Sequence, residues 1–273
     1  QVSNHLSGIL VMANLMVLLL LFTDYRRYRG WIAVLLAYHV IDILVTPSAR
    51  ASVAQYIVAA WILYQRFVKP VRLPAFLFAV GFGLFAFLAY GILREAIPRG
   101  EDIQVTAEIL SSSNEFDSIF ANALELNRHR ENGLLNDLPT ALYFSDFFAL
   151  IPQQLLPLQK STWSIWFLET FHPETLAAGG GFSFGTLAES AVGFGLPELA
   201  VRGFVIGLIF AFVHRWYCRK TESFWRTFVY VWLCVSCYQS FRATSFVLLT
   251  SLVFQIVPFY FVVRGLGLLG NTR

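Results

Sequence analysis

Apolar residues in this chain fall in long unbroken runs, not at the alternating or three-to-four spacing of half-buried elements. Runs at residues 6–23, 31–46, 53–68, 73–92, 191–213, 224–240 and 244–263 each approach the ~20 residues a helix needs to cross hydrocarbon. They predict about seven transmembrane helices. The second and third are short, which leaves little room for tilt. Between the fourth and fifth runs lies a long polar and aromatic stretch, 99–189. A loop of that length is unusual unless it carries function.

That stretch has an order of its own. In residues 99–127, Ile103, Ile109, Leu110, Phe116, Ile119, Phe120, Ala123 and Leu124 alternate with polar residues. They predict an amphipathic segment followed by a helix on the membrane surface. Arg128, His129 and Arg130 come next. Residues 141–167 (ALYFSDFFALIPQQLLPLQKSTWSIWF) are amphipathic, with Pro152 and Pro157 and aromatic anchors, and predict an interfacial or re-entrant element. Gly179, Gly180 and Gly181 then supply a backbone hinge before the fifth run. The expected architecture is an all-α polytopic helix bundle in three regions. These are transmembrane helices 1–4 at 1–97, an external loop with interfacial helices at 98–190, and helices 5–7 at 191–273.

Composition agrees with that class. The 273 residues are 57% hydrophobic and 14% charged, with mean hydropathy +0.61, whereas soluble domains average about 25% charged. Charge placement then orients the bundle. Arg26, Arg27, Arg29, Arg66, Lys69, Arg72, Arg215, Arg219, Lys220, Arg226, Arg264 and Arg273 lie at one set of ends, against Arg50 and Arg242 in the alternate short turns. Basic short loops stay in the cytoplasm, so the long loop faces outward. The net charge of +3 and pI near 8.8 follow from this topology and point to no nucleic acid. The first run lacks a basic n-region and a small-residue cleavage site, so it does not read as a signal peptide. A chain that starts outside, without Met, leads us to expect earlier helices before it.

Several chemical motifs are weak here. Cys234 and Cys237 form a C-x-x-C inside an apolar helix, where zinc would find no second pair of ligands. His39 and Asp42 share a helix face, but Asp42 lies a turn from Pro47, as a wet interfacial carboxylate would. Residues 181–185 (GFSFG) fit the G-x-S-x-G elbow of serine hydrolases, yet the only later histidine, His214, is on the cytoplasmic side. The glycines fit neither dinucleotide nor Walker spacing. No D-x-D pair offers a metal–diphosphate clamp, and five scattered histidines make no metal site, so no metal or cofactor is expected. Glu198 and Arg202 form an i,i+4 pair that either turns into the bundle or lines a cavity.

Cations on the outer side remain. Arg128, Arg130, Arg242 and Lys160 lie beside apolar and aromatic surface. Guanidinium forks suit phosphate oxygens, and lysine supplies a point charge. Such a cluster suits a lipid diphosphate; snorkelling or salt bridges to the loop's acids is the plainer role for any one of them. Residues 95–198 carry fourteen of the seventeen acids. Glu189 reads either as a carboxylate near a helix N-terminus or as a general base that orients sugar hydroxyls.

The run FSFGTLAESAVGFG, followed by GFVIGLIFAFVHRWY, resembles the signature of Wzy-type O-antigen polymerases (oligosaccharide repeat-unit polymerases). Ala188, Glu189, Phe194, Gly195 and Gly207 match it. Upstream, Ile151, Pro152, Pro157 and Lys160 resemble that family's Pro-containing basic segment, and Arg242 resembles the Arg before its final helices. The likeness covers residue 127 onward. Ala191 and Val192 replace an aromatic-Asn pair, Gln153 an arginine, Leu156 a tryptophan and Ser161 a proline. The resemblance implies an inverting glycosyltransferase that polymerises undecaprenyl-diphosphate-linked repeat units into O-antigen or a related surface polysaccharide in lipopolysaccharide biosynthesis. It implies Arg128, Arg130 and Arg242 as diphosphate ligands with Lys160 as a fourth. Glu189 would act on the acceptor hydroxyl, with His129 in reserve as base. Expected partners are the lipid-linked glycans, the bilayer and a chain-length regulator. An O-antigen ligase, a lipid or polysaccharide transporter and a non-catalytic membrane subunit remain as alternatives.

Overall fold

The computed structural model describes residues 2–45, 50–72, 74–79, 81–83, 115–135, 140–157, 160–177, 183–219 and 223–265. Over these residues the chain is all-helical, with no strand. Helices α1 (Val2–Thr23), α2 (Tyr25–Val45) and α3 (Arg50–Phe67) pack on one another. In the loop region come α4 (Glu115–Glu131) and α5 (Trp163–Phe171). A short helix α6 (Gly185–Val192) leads into α7 (Leu196–Arg219), and α8 (Phe224–Ser236) and α9 (Val247–Gly265) complete the chain. The C-terminal half of the fourth run, residues 98–114 of the loop, the glycine hinge at 179–181 and the side chain of Asp42 lie outside the described residues.

Two separate cores organise the molecule. In the first, Met12, Leu15, Leu18, Leu19 and Phe22 of α1 meet Tyr56, Ala59 and Leu63 of α3, and Phe228, Val231, Trp232 and Val235 of α8 close over them. The Nδ2 of Asn14 donates to the Tyr56 hydroxyl at 3.2 Å, and the His39 ring stacks on Tyr56 at 3.8 Å. The second core lies in the loop region: Leu126 of α4, Leu142, Trp163 and Phe167 of α5, and Phe184, Ala188 and Val192 of α6. Trp163, Phe167 and Phe184 are almost wholly enclosed, and each contributes roughly 1.5–3 kcal/mol by leaving water. The loop region is therefore a packed unit with its own interior.

Among the described residues two helices, α7 and α9, are long and apolar enough to cross a bilayer, and they point to a membrane protein. No residue of the most apolar window of α7 is buried, and Val201, Phe204, Leu208 and Phe212 stand open along it. Shorter apolar helices are present at Gly8–Thr23 and Pro74–Gly83. Inside α9 the ladder loosens to a π-turn at Leu252–Ile256. There Gln255 lies so close to Gly8 of α1 that a β-carbon on that glycine would sit 2.3 Å from the Gln255 Nε2.

Element boundaries differ from the apolar runs where backbone chemistry intervenes. The fifth run predicted one helix from residue 191, but the chain breaks at 193–195. Gly195 takes φ +73° and its N–H returns to the Ser190 carbonyl at 2.8 Å, which ends α6; its own carbonyl then starts α7 by accepting from Leu199 at 3.1 Å. The sixth run ends early as well, with α8 followed by a separate turn of helix at Tyr238–Arg242. In the loop, Pro152 and Pro157 divide the predicted interfacial element. The helical turns Thr140–Tyr143, Ser145–Phe148 and Gln153–Leu155 precede α5, whose first turn is capped by the Thr162 hydroxyl accepting from the Ile165 N–H.

Candidate functional site

The site forms around α6. Its first residue, Gly185, has φ +78°, and a β-carbon there would lie 2.3 Å from the Phe241 carbonyl oxygen. Only glycine lets the helix start so close to the turn that precedes α9. Gly185 N–H donates to the Ala243 carbonyl at 2.9 Å, and the Thr186 hydroxyl donates to the Ser240 carbonyl. On its other flank α6 packs along α4, where Asn122 donates to the Ser183 carbonyl at 2.8 Å.

Three arginines from three elements meet this short helix. Arg242, at the end of the 238–242 turn, donates from Nε to the Ser183 hydroxyl at 3.4 Å, just before α6 begins. Arg202, nearly two turns into α7, donates from Nη1 to Glu189 Oε2 at 2.8 Å and to the Ser245 hydroxyl at 2.9 Å. Its Nη2 and Nε reach Glu198 Oε1 at 2.7 and 2.8 Å. Arg130, at the end of α4, donates from Nη1 to the Ala191 carbonyl at 3.4 Å, where α6 ends. An eight-residue helix is ~12 Å long, so Arg242 and Arg130 bracket it and Arg202 fills the space between.

Glu189 is 1% exposed. Its Oε2 accepts from Arg202, from the Ser245 N–H at 3.0 Å and from the Ser245 hydroxyl. Burial pushes its carboxyl up to about 7, against the opposing pull of Arg202 and Ser245. Glu198 is held just as closely, with Oε2 accepting from the Phe194 N–H at 2.7 Å. Gly193 makes room for it, since a β-carbon there would lie 1.8 Å from that oxygen. Asp146, from the helical turn Ser145–Phe148, accepts from the Thr244 hydroxyl at 2.6 Å and from the Phe246 N–H at 3.1 Å. Burial raises its carboxyl too, offset by the bonds from Thr244 and Phe246 and by Arg202. Tyr143 is raised by burial and by Glu198, and lowered by Arg130 and Arg202, which places it in the same electrostatic neighbourhood.

Of the residues singled out from sequence, Glu189, Arg130 and Arg242 converge on α6. Arg128 is exposed on α4. Lys160 donates to the Ile151 carbonyl, which closes the proline-broken segment on itself. His129 stacks on Phe171 at 4.2 Å and lies 3.5 Å from Glu125 Oε1, an oxygen that also meets His172 at 3.0 Å. The i,i+4 pair Glu198–Arg202 forms and turns inward. Sequence reasoning missed that Arg202 also reaches Glu189, and it missed Asp146, Thr244 and Ser245 altogether. An arginine in an apolar run was the available signal for the first; nothing in the sequence marks the others. Among the described residues no group of three or more His, Cys, Asp or Glu could hold a metal ion.

Comparison with family models, with curated proteins and with solved structures finds no match to this chain.

Proposed function

We propose that this chain is a seven-span inner-membrane glycosyltransferase of the O-antigen polymerase type, working on the periplasmic side. In this reading a glycan on a lipid diphosphate is the donor, and a hydroxyl of the next lipid-linked repeat unit attacks its anomeric carbon. The bond to the diphosphate breaks with inversion, and the diphosphate leaves with the electron pair. Arg242 and Arg130 stabilise the charge that grows on the leaving oxygens. His129, oriented by Glu125, is the base that takes the acceptor proton. Glu189 is enclosed and holds Arg202 and Ser245, so its part is to position the helix that the arginines bracket.

One observation carries the reading: arginines from α4, α7 and the turn before α9 all meet α6, the segment in which the polymerase resemblance is densest. Two of the three, Arg130 and Arg242, meet a carbonyl and a hydroxyl there. The chain in lipid nanodiscs should bind an undecaprenyl diphosphate, and Arg130→Ala and Arg242→Ala should each weaken that binding by about 10–100-fold, the cost of one charge-assisted contact. Thermal stability should barely move. Equal affinity in the wild type and both variants would remove the diphosphate site from this place.

A further inference from the structure

An exposed stripe runs along α7 and ends in charge. At 3.6 residues per turn, Val201, Phe204, Leu208, Phe212, Arg215 and Arg219 fall within about 80° of one another around the helix. All six are exposed. Tyr217 points the opposite way: it is buried, stacks on Tyr230 of α8 at 4.4 Å and is bonded by Arg66 of α3. The bundle therefore holds one side of α7 and leaves the other bare, in keeping with its wholly unburied apolar window.

Length and charge both match a phospholipid. From Val201 to Phe212 the helix rises about 16 Å, close to half of the ~30 Å hydrocarbon core, the depth of one leaflet. Arg215 and Arg219 follow at once, at headgroup level. Two guanidinium groups at i,i+4 repel each other on a helix, and an anion between them relieves the pair. A third cation comes from α8: Arg226 lies over the Trp216 ring at 5.0 Å and donates from Nη1 to the Trp216 carbonyl at 3.0 Å. Among the described residues none of these three arginines pairs with a carboxylate. The one acid of α7, Glu198, lies at the far end and is held by Arg202. Lys220 and Glu222, in the turn that follows, lie outside the described residues. A single snorkelling arginine would accept the phosphate of any phospholipid. Three without a carboxylate carry a surplus that a zwitterionic headgroup leaves in place and an acidic one neutralises.

We propose that the open face of α7 binds an acidic glycerophospholipid. Its acyl chains lie along Val201, Phe204, Leu208 and Phe212, and its phosphate rests between Arg215 and Arg219, with Arg226 beside them. The chains fix the lipid to the stripe and the arginines select its charge. This site is at the opposite end of α7 from Arg202 and the α6 cluster, so it holds whether or not the chain transfers sugars.

Native mass spectrometry of the full chain in detergent, titrated with phosphatidylglycerol or phosphatidylcholine, tests it. One phosphatidylglycerol should bind about tenfold or more tightly than phosphatidylcholine, and Arg215→Gln with Arg219→Gln should abolish that preference. Arg26→Gln with Arg29→Gln removes the same charge from exposed positions on α2, whose Tyr25 meets Tyr64 near the end of α3, and should leave the preference intact. Equal binding of the two lipids by the wild type overturns the proposal, whatever the variants do. An equal loss in both double variants also overturns it, because the attraction would then belong to the whole basic end and not to α7. So does a dimer whose formation displaces the phospholipid, which would give this face to a second copy of the chain.

Discussion

Glu189 sits where few carboxylates are tolerated, enclosed and bonded three times through one oxygen. Truncating it strands a guanidinium arm and a backbone N–H, so Glu189→Ala should cost about 3 kcal/mol of stability, in the range for breaking an enclosed ion pair. Glu189→Gln keeps the acceptor and should cost far less. Because the native carboxyl titrates near 7, the melting temperature of the wild type should fall between about pH 5 and about pH 8, while that of Glu189→Gln should hold steadier. Thermal melts in detergent at both pH values read all three outcomes. A Glu189→Ala protein as stable as the wild type would mean that Arg202 is satisfied by Glu198 alone. The sequence marked Glu189 either as a carboxylate near a helix N-terminus or as a general base, and neither reading showed its enclosure. Its enclosure depends on Ser245, fifty-six positions away, and no local pattern announces such a contact.

α6 is an element that hydropathy alone misplaces. An apolar run from residue 191 conceals the break at 193–195, because Ala191, Val192 and Phe194 are as apolar as the helix that follows. The glycines were visible, but which of them would take a left-handed backbone was not. Gly185 and Gly195 both do, at φ +78° and +73°, yet their surroundings differ. At Gly185 a β-carbon meets the Phe241 carbonyl at 2.3 Å, whereas at Gly195 the nearest atom is the tip of Arg130 at 3.8 Å. Gly195→Ala should therefore cost only the backbone term of about 1–2 kcal/mol. Gly185→Ala carries the same term and must also push α6 away from the turn that holds Arg242. A denaturant titration comparing the two should find Gly185→Ala clearly the less stable. Equal losses would show that the α6 contact with that turn contributes little.

At the scale of the whole molecule, the all-helical class was legible because long apolar stretches have few other ways to satisfy their backbone. Among the described residues, however, two helices, not seven, are long and apolar enough to cross a membrane. The separate core of the external region was harder to see. Trp163 and Phe167 read as interfacial anchors, yet with Phe184 they close on Leu126 and Ala188 to make an interior. Membrane orientation rests on the basic turns. Cys218, exposed at the end of α7, should be labelled by an impermeant maleimide in inverted vesicles and spared in right-side-out ones, once Cys234 and Cys237 are replaced by serine. Labelling from the outer face would invert the topology. The most direct measurement is reconstitution of the chain with an undecaprenyl-diphosphate-linked repeat unit, followed by gel analysis of glycan length. A ladder of lengthening glycans is expected, reduced about 100–1000-fold in rate by Arg242→Ala. Folded protein that yields no ladder, or a ladder that Arg242→Ala leaves unchanged, would contradict glycan polymerisation at α6.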